Sequence, residues 1–139
     1  MAEGSNKAGL TDTGLLLIRC VCAVVLAYHG AGKLFGWFGG SGFEAFASYV
    51  GTLDLPEPRI MAYAAAVSEF FCSILLFLGL GGRWPALPMA ATMIIAVVKV
   101  HPDKFAGASG MEFPLTLGVV CLGLTFTGPG NYTLMRLFK

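Results

Sequence analysis

A chain of 139 residues with 56% hydrophobic and 12% charged residues and a mean hydropathy of +0.75 is too apolar for a water-facing surface, since soluble domains carry about 25% charged residues. The length suits one domain and leaves no room for a catalytic domain beside a membrane domain. A net charge of +1 gives no electrostatic footprint for a nucleic-acid partner.

In chain order, residues 1–13 read as a polar N-terminal tail ahead of a membrane domain, 14–139. Thr11, Asp12 and Thr13 are N-cap candidates. The apolar run from Gly14 to Phe35 is long enough to span a hydrocarbon core of about 30 Å. It is longer than a signal-peptide core, and no small-residue cleavage pattern follows, so the helix is expected to stay in the mature protein. Within 36–59, Phe43, Phe46, Ala47, Val50 and Leu53 recur at helical spacing, which predicts a short amphipathic helix over 42–53 lying in the membrane interface. The Asp54-Leu55-Pro56-Glu57-Pro58 stretch turns the chain back.

Ile60 to Leu80 is the second predicted span, stopped by Gly79, Gly81 and Gly82. The third, Trp84 to Val100, opens with Pro85 and Pro88, tolerated in a first turn. The fourth, Phe113 to Thr127, ends at Gly128-Pro129-Gly130. The last two fall short of the usual length of about 20 residues. The fold class is therefore all-α: a four-helix transmembrane bundle with a short interfacial helix between spans one and two. Trp37, Tyr63, Trp84 and Tyr132 sit near span ends, as aromatic belts do. Lys7, Arg83, Arg136 and Lys139 share one side, and Arg59 and Lys104 the other. With Lys33 and Lys99 set aside as edge residues, the positive-inside rule favours cytoplasmic termini.

Cys20, Cys22, Cys72 and Cys121 lie in apolar stretches without a CxxC or zinc spacing, and read as small buried packing residues.

The informative residues are charged or titratable ones in apolar segments: Arg19, His29, Lys33, Glu69, Lys99, His101 and Glu112. A charge at the centre of a span costs roughly 2.5–3.5 kcal/mol on insertion scales, so such groups face the bundle interior and pair. Antiparallel threading carries all but Arg19 to one half of the bundle. His29 and Lys33, four apart, share a helix face, and Arg19, Leu26 and Lys33 repeat at seven along it. Glu69 is the one anionic neighbour near the depth of Arg19, offset by about 9 Å along the axis. An Arg19–Glu69 interhelical ion pair is the expected structural link, with a functional role as the alternative. His29, Lys33, Glu69, Lys99, His101 and Glu112 form the candidate ligand-binding cluster. His29, His101 and Glu112 also make a His/His/carboxylate metal set conceivable, but the nearby lysines repel a cation and favour an anionic or carbonyl ligand. A quinone headgroup fits, because its oxygens accept hydrogen bonds and its reduction takes up protons. Phe35, Phe38, Phe105 and Phe113 are candidates for an apolar entrance.

The stretch GLLLIRCVCAVVLAYHGAGKLFGWFGG, with Arg19, His29-Gly30 and Lys33 in order, resembles the DoxX family of small bacterial membrane proteins. So do Gly42, Phe43, Phe46 and Tyr49, the LDLP turn, Glu69, His101, Glu112-Phe113-Pro114 and Gly130-Asn131-Tyr132. The resemblance implies a four-helix, multi-pass protein of the bacterial inner membrane. Family members are linked to thiosulfate:quinone oxidoreduction as a small membrane subunit, to thiol and oxidative-stress complexes, and to quinone or catechol resistance. The absence of a CxxC sets this chain apart from a CxxC dithiol mechanism.

The function expected from the sequence is a small membrane subunit of a quinone-linked oxidoreductase or oxidative-stress system. Its partners are the lipid bilayer and other protein subunits. It has no intrinsic cofactor motif, so electrons come from a partner protein or a soluble reductant. The alternatives are a non-catalytic assembly subunit of a larger complex and a small proton-linked carrier.

Overall fold

The computed structural model describes the backbone of residues 2–136 and the side chains of residues 6–136. Lys139, one of the terminal-side cations, lies outside them. Among the described residues the chain forms five helices longer than a single turn and no strand. They are α1 (Ala2–Phe35), α2 (Phe43–Val50), α3 (Pro58–Leu78), α4 (Ala86–Val100) and α5 (Glu112–Thr127).

Two helices, α1 over Asn6–Phe35 and α3, are long and apolar enough to cross a membrane. At 1.5 Å per residue α4 and α5 are only about 22 and 24 Å long. The outward faces carry large apolar side chains, among them Leu17, Val21 and Val24 on α1, Phe71 on α3 and Val119 and Phe126 on α5. Water would be a poor solvent for so much exposed hydrocarbon, and lipid a good one.

The N-terminal segment differs from the expected tail, because α1 begins at Ala2 and runs unbroken into the apolar stretch. Thr11, Asp12 and Thr13 therefore do not cap it. The two threonine hydroxyls donate back to the carbonyls of Lys7 and Gly9, at 3.0 and 2.9 Å, which keeps them satisfied inside a helix. Asp12 accepts hydrogen bonds from Asn131 N and Nδ2 at 2.8 and 2.6 Å, tying the start of the chain to the segment after α5.

One core is shared by α1 (Cys22, Ala23, Leu26), α3 (Leu76), α4 (Ala86, Met89, Ala90, Met93) and α5 (Cys121, Leu124). Cys22 and Cys121 are core-filling, as expected, whereas Cys20 and Cys72 are half-buried. A second, smaller core joins α2 to α3 through Ala47, Val50 and Ala62. Outside it, Arg59 donates to both carboxylate oxygens of Glu44 at 2.9 and 2.6 Å. The hydrogen bonds and charge of Arg59 hold the Glu44 carboxyl below its ordinary range. This contribution is present at neutral pH and fades on acidification through the lowered value. Both groups are exposed, so it is small.

Helices α1 and α3 approach each other closely at Gly30. A Cβ added to Gly30 would lie 2.5 Å from Phe70 N and 2.7 Å from the Glu69 carbonyl carbon. Neither backbone atom can yield as a side chain would. We expect Gly30→Ala to cost about 1–3 kcal/mol through overpacking, seen as a lower melting temperature in detergent. Gly14→Ala, with nothing within 4 Å of the new methyl, serves as the control for helix propensity, which by itself favours alanine by about 0.5–1 kcal/mol. An unchanged melting temperature for Gly30→Ala would contradict the close approach.

Candidate functional site

The close packing at Gly30 places Glu69 against the last turns of α1. Glu69 is fully buried and sits in a π-helical turn, Ser68–Cys72, inside α3. Such wide turns are uncommon and recur at functional sites. Lys33, one turn beyond His29 on α1, donates to both carboxylate oxygens of Glu69 at 2.5 and 2.6 Å. Its ammonium also lies 5.0 Å from the centroid of the Phe46 ring on α2, a favourable position over a π face.

This pairing corrects the expected Arg19–Glu69 link. Arg19 is buried, but its guanidinium donates to the carbonyls of Pro129 and Tyr132, just past the end of α5. Glu69 is already neutralised in direct contact by Lys33. The positive charge of Arg19 is instead matched by these two carbonyls beside the negative end of α5.

His29 and His101 complete the ring of polar groups. The His29 imidazole packs at 5.4 Å from the Phe113 ring and edge-on to Tyr28 at 5.8 Å. His101 follows a second π-helical turn, Ala96–Val100, and its N–H reaches the Ala96 carbonyl at 3.1 Å. Its Nδ1 lies 2.9 Å from the Ser109 carbonyl. A carbonyl only accepts, so Nδ1 carries the proton and Nε2 is the acceptor of the neutral ring. His29, Lys33, Glu69 and His101 line one cavity of about 170 Å³, together with Leu26, Met93 and Phe113.

Two predicted members stand apart. Lys99 is exposed. Glu112 is exposed as well, and its Oε1 accepts from the Gly107 N–H at 3.1 Å, closing the loop ahead of α5. Of the four phenylalanines expected at an entrance, Phe113 lines this cavity, Phe38 lines a neighbouring one, Phe35 packs on Trp37 and Phe70, and Phe105 is exposed.

Lys33 borders two further spaces. An aromatic cleft of about 410 Å³ is walled by Tyr28, His29, Lys33, Trp37, Phe38, Phe46 and Tyr49. It is shaped by the glycine-rich turn after α1. The N–H groups of Gly36 and Gly42 both donate to the Gly32 carbonyl at 3.1 Å, folding the turn back onto the helix. Phe38 sits in the left-handed region with φ 56° and stacks on Tyr28 at 4.7 Å. A non-glycine residue there stores of order 1–3 kcal/mol, a strain that the surrounding turn must hold in place. The third space, of about 290 Å³, lies beneath α2 between α3 and α4 and is mostly apolar. Lys33 lines all three, and the carboxylate of Glu69 stands between the first and the third. The sequence reading missed the roles of Tyr28, Phe46, Tyr49, Ser68 and Thr92. The dense run of aromatics and glycines over 35–43 was the signal for the cleft.

A helical fold with lipid-compatible faces and a charged pair at its interior defines a membrane protein. The DoxX family is matched by residues 14–102, more than half of the chain, and the chain belongs to that family. Among its relatives is a Bacillus subtilis (strain 168) protein named "Putative oxidoreductase CatD", 30% identical over 115 residues, 82% of this chain and 80% of the relative. Another is the inner membrane protein YqjF of Escherichia coli (strain K12), 26% identical over 132 residues, 94% of this chain and 95% of the relative. No solved structure is matched with significance.

Removing Lys33 strands a buried carboxylate. We expect Lys33→Met to destabilise the protein by about 3–5 kcal/mol, and the Lys33→Met/Glu69→Leu double variant to recover most of that loss. Thermal unfolding of the three proteins in one detergent measures it. Equal melting temperatures for the single variant and the parent would refute the pairing.

Proposed function

We propose that this chain is a multi-pass inner-membrane subunit of a quinone-linked redox system. In this reading α1, α3, α4 and α5 form a four-helix bundle across the bilayer, α2 lies in the interface, and both termini are cytoplasmic. The observation that carries it is the Lys33–Glu69 pair, a buried carboxylate bonded to a lysine that lines three adjoining cavities. A purely structural pair would be sealed by packing. The oxidoreductase name of the Bacillus relative and the inner-membrane name of the Escherichia relative support the same reading.

The aromatic cleft suits a planar ring, with Tyr28, Trp37 and Phe38 as stacking partners. Lys33 and His29 border both this cleft and the cavity that holds Glu69 and His101. Each is placed to donate a hydrogen bond to a ring oxygen on one side and to exchange a proton with the groups behind it on the other. Reduction of a quinone consumes two electrons and two protons. The protons pass through these four residues, and the electrons are supplied by a partner protein or a soluble reductant. Lys99 and Glu112, outside the cavities, take no part.

The test is the ubiquinone or menaquinone content of the purified protein. We expect His29→Ala to lower it about tenfold, the equivalent of one hydrogen bond of roughly 1.4 kcal/mol, and Lys99→Ala to leave it unchanged. Quinone content unaffected by His29→Ala would count against this reading and favour an assembly subunit, whose mark would be co-purifying membrane subunits in place of quinone.

A further inference from the structure

The space beneath α2 differs in kind from the other two. Its polar side chains are Lys33, Tyr49, Ser68, Glu69 and Thr92, and four of these satisfy one another. Lys33 is bonded to Glu69, and the Ser68 and Thr92 hydroxyls meet at 2.8 Å. Ser68 also lies 2.9 Å from the Ala65 carbonyl, and Thr92 3.0 Å from that of Pro88. Tyr49 stands at the rim and is exposed. Water needs two to four polar partners to occupy a cavity, and these walls offer few that are not already engaged. Hydrocarbon is the better occupant.

The space also borders the aromatic cleft. Lys33, Phe46 and Tyr49 line both, so the two spaces adjoin along these three side chains, and a molecule that displaces the exposed Tyr49 reaches from one to the other. Its side toward α3 and α4 is lined by small residues, among them Ala64 and Ala91, which are exposed on the outer surface. In a bilayer that opening faces lipid.

Building on the quinone reading above, we propose that the ligand is a long-tailed isoprenoid quinone. Its ring lies in the aromatic cleft beside Lys33, and the first part of its tail lies in the space beneath α2 and leaves between α3 and α4 past Ala91. The protein therefore discriminates by tail, and tail-less quinones are poor ligands.

Binding of a ubiquinone series, from the tail-less ring to several isoprene units, tests this by tryptophan-fluorescence quenching of the full chain in detergent. Affinities are expressed per mole fraction in the micelle, so that partitioning cancels. The long-tailed forms are expected to bind roughly tenfold or more tightly than the bare ring, the discrimination an apolar pocket provides. Ala91→Phe, which fills the exit, is expected to remove that advantage and leave binding of the bare ring unchanged. Ala64→Phe, on the opposite wall, should repeat the result should the first variant unfold.

A tail advantage that survives both substitutions, or equal affinities across the series in the parent, overturns the tail assignment while the ring site stands. Phospholipid retained in the pure protein and displaced by Ala91→Phe, with ring binding intact, also overturns it, because the space then holds an acyl chain. Loss of binding for every member of the series overturns the quinone reading as well.

Discussion

A carboxylate with no exposure to solvent, inside a helix apolar enough to span a membrane, dictates much of the remaining architecture. Glu69 is tolerable there only with a cation in direct contact, and the surrounding fold serves to deliver Lys33. Gly30 lets the backbones of α1 and α3 come close enough for one turn of α1 to bring the ammonium to both oxygens. The wide turn at Ser68–Cys72 coincides with that contact. Without the glycine the helices stand farther apart, and the ion pair becomes a buried charge facing a gap.

The opposite end of the molecule solves the same problem differently. Arg19 has no carboxylate in contact among the described residues, and its charge is met by backbone carbonyls beyond the C-terminal end of α5. Asp12 holds Asn131 in the same segment. Together they fasten the 129–132 segment against α1. One end of α1 is therefore held by a side-chain ion pair that borders cavities, and the other by a charge-to-backbone contact.

Much of this was legible in the sequence. Apolar runs and their glycine and proline stops located α1, α3, α4 and α5 closely, because in so hydrophobic a chain composition and length decide. Counting depth along antiparallel helices brought His29, Lys33, Glu69 and His101 together. It did not choose the partner of Glu69. That choice depends on the rotation of each helix and on the reach of lysine, and on a terminal Gly-Pro-Gly turn that folds back to present carbonyls to Arg19. Depth also placed Lys99 and Glu112 with the cluster, although π-helical winding at Ala96–Val100 and the bond from Gly107 N to Glu112 turn them outward. The cap positions were misjudged for a simpler reason. Polar residues at a helix start resemble caps, but here the threonines bond backward and the helix continues. The space beneath α2 has no sequence signature of its own, because it is made by the small side chains at Ala64, Ala65 and Ala91.

The decisive measurement is a solid-state NMR distance experiment on the protein in lipid bilayers, recoupling the Lys33 ammonium nitrogen with the Glu69 carboxyl carbon. The ion pair observed here, with Nζ 2.5 Å from Oε1, predicts strong dephasing between these two sites and none between Glu69 and the Arg19 guanidinium. Dephasing from Arg19 in place of Lys33, or from neither, would contradict the account at its base.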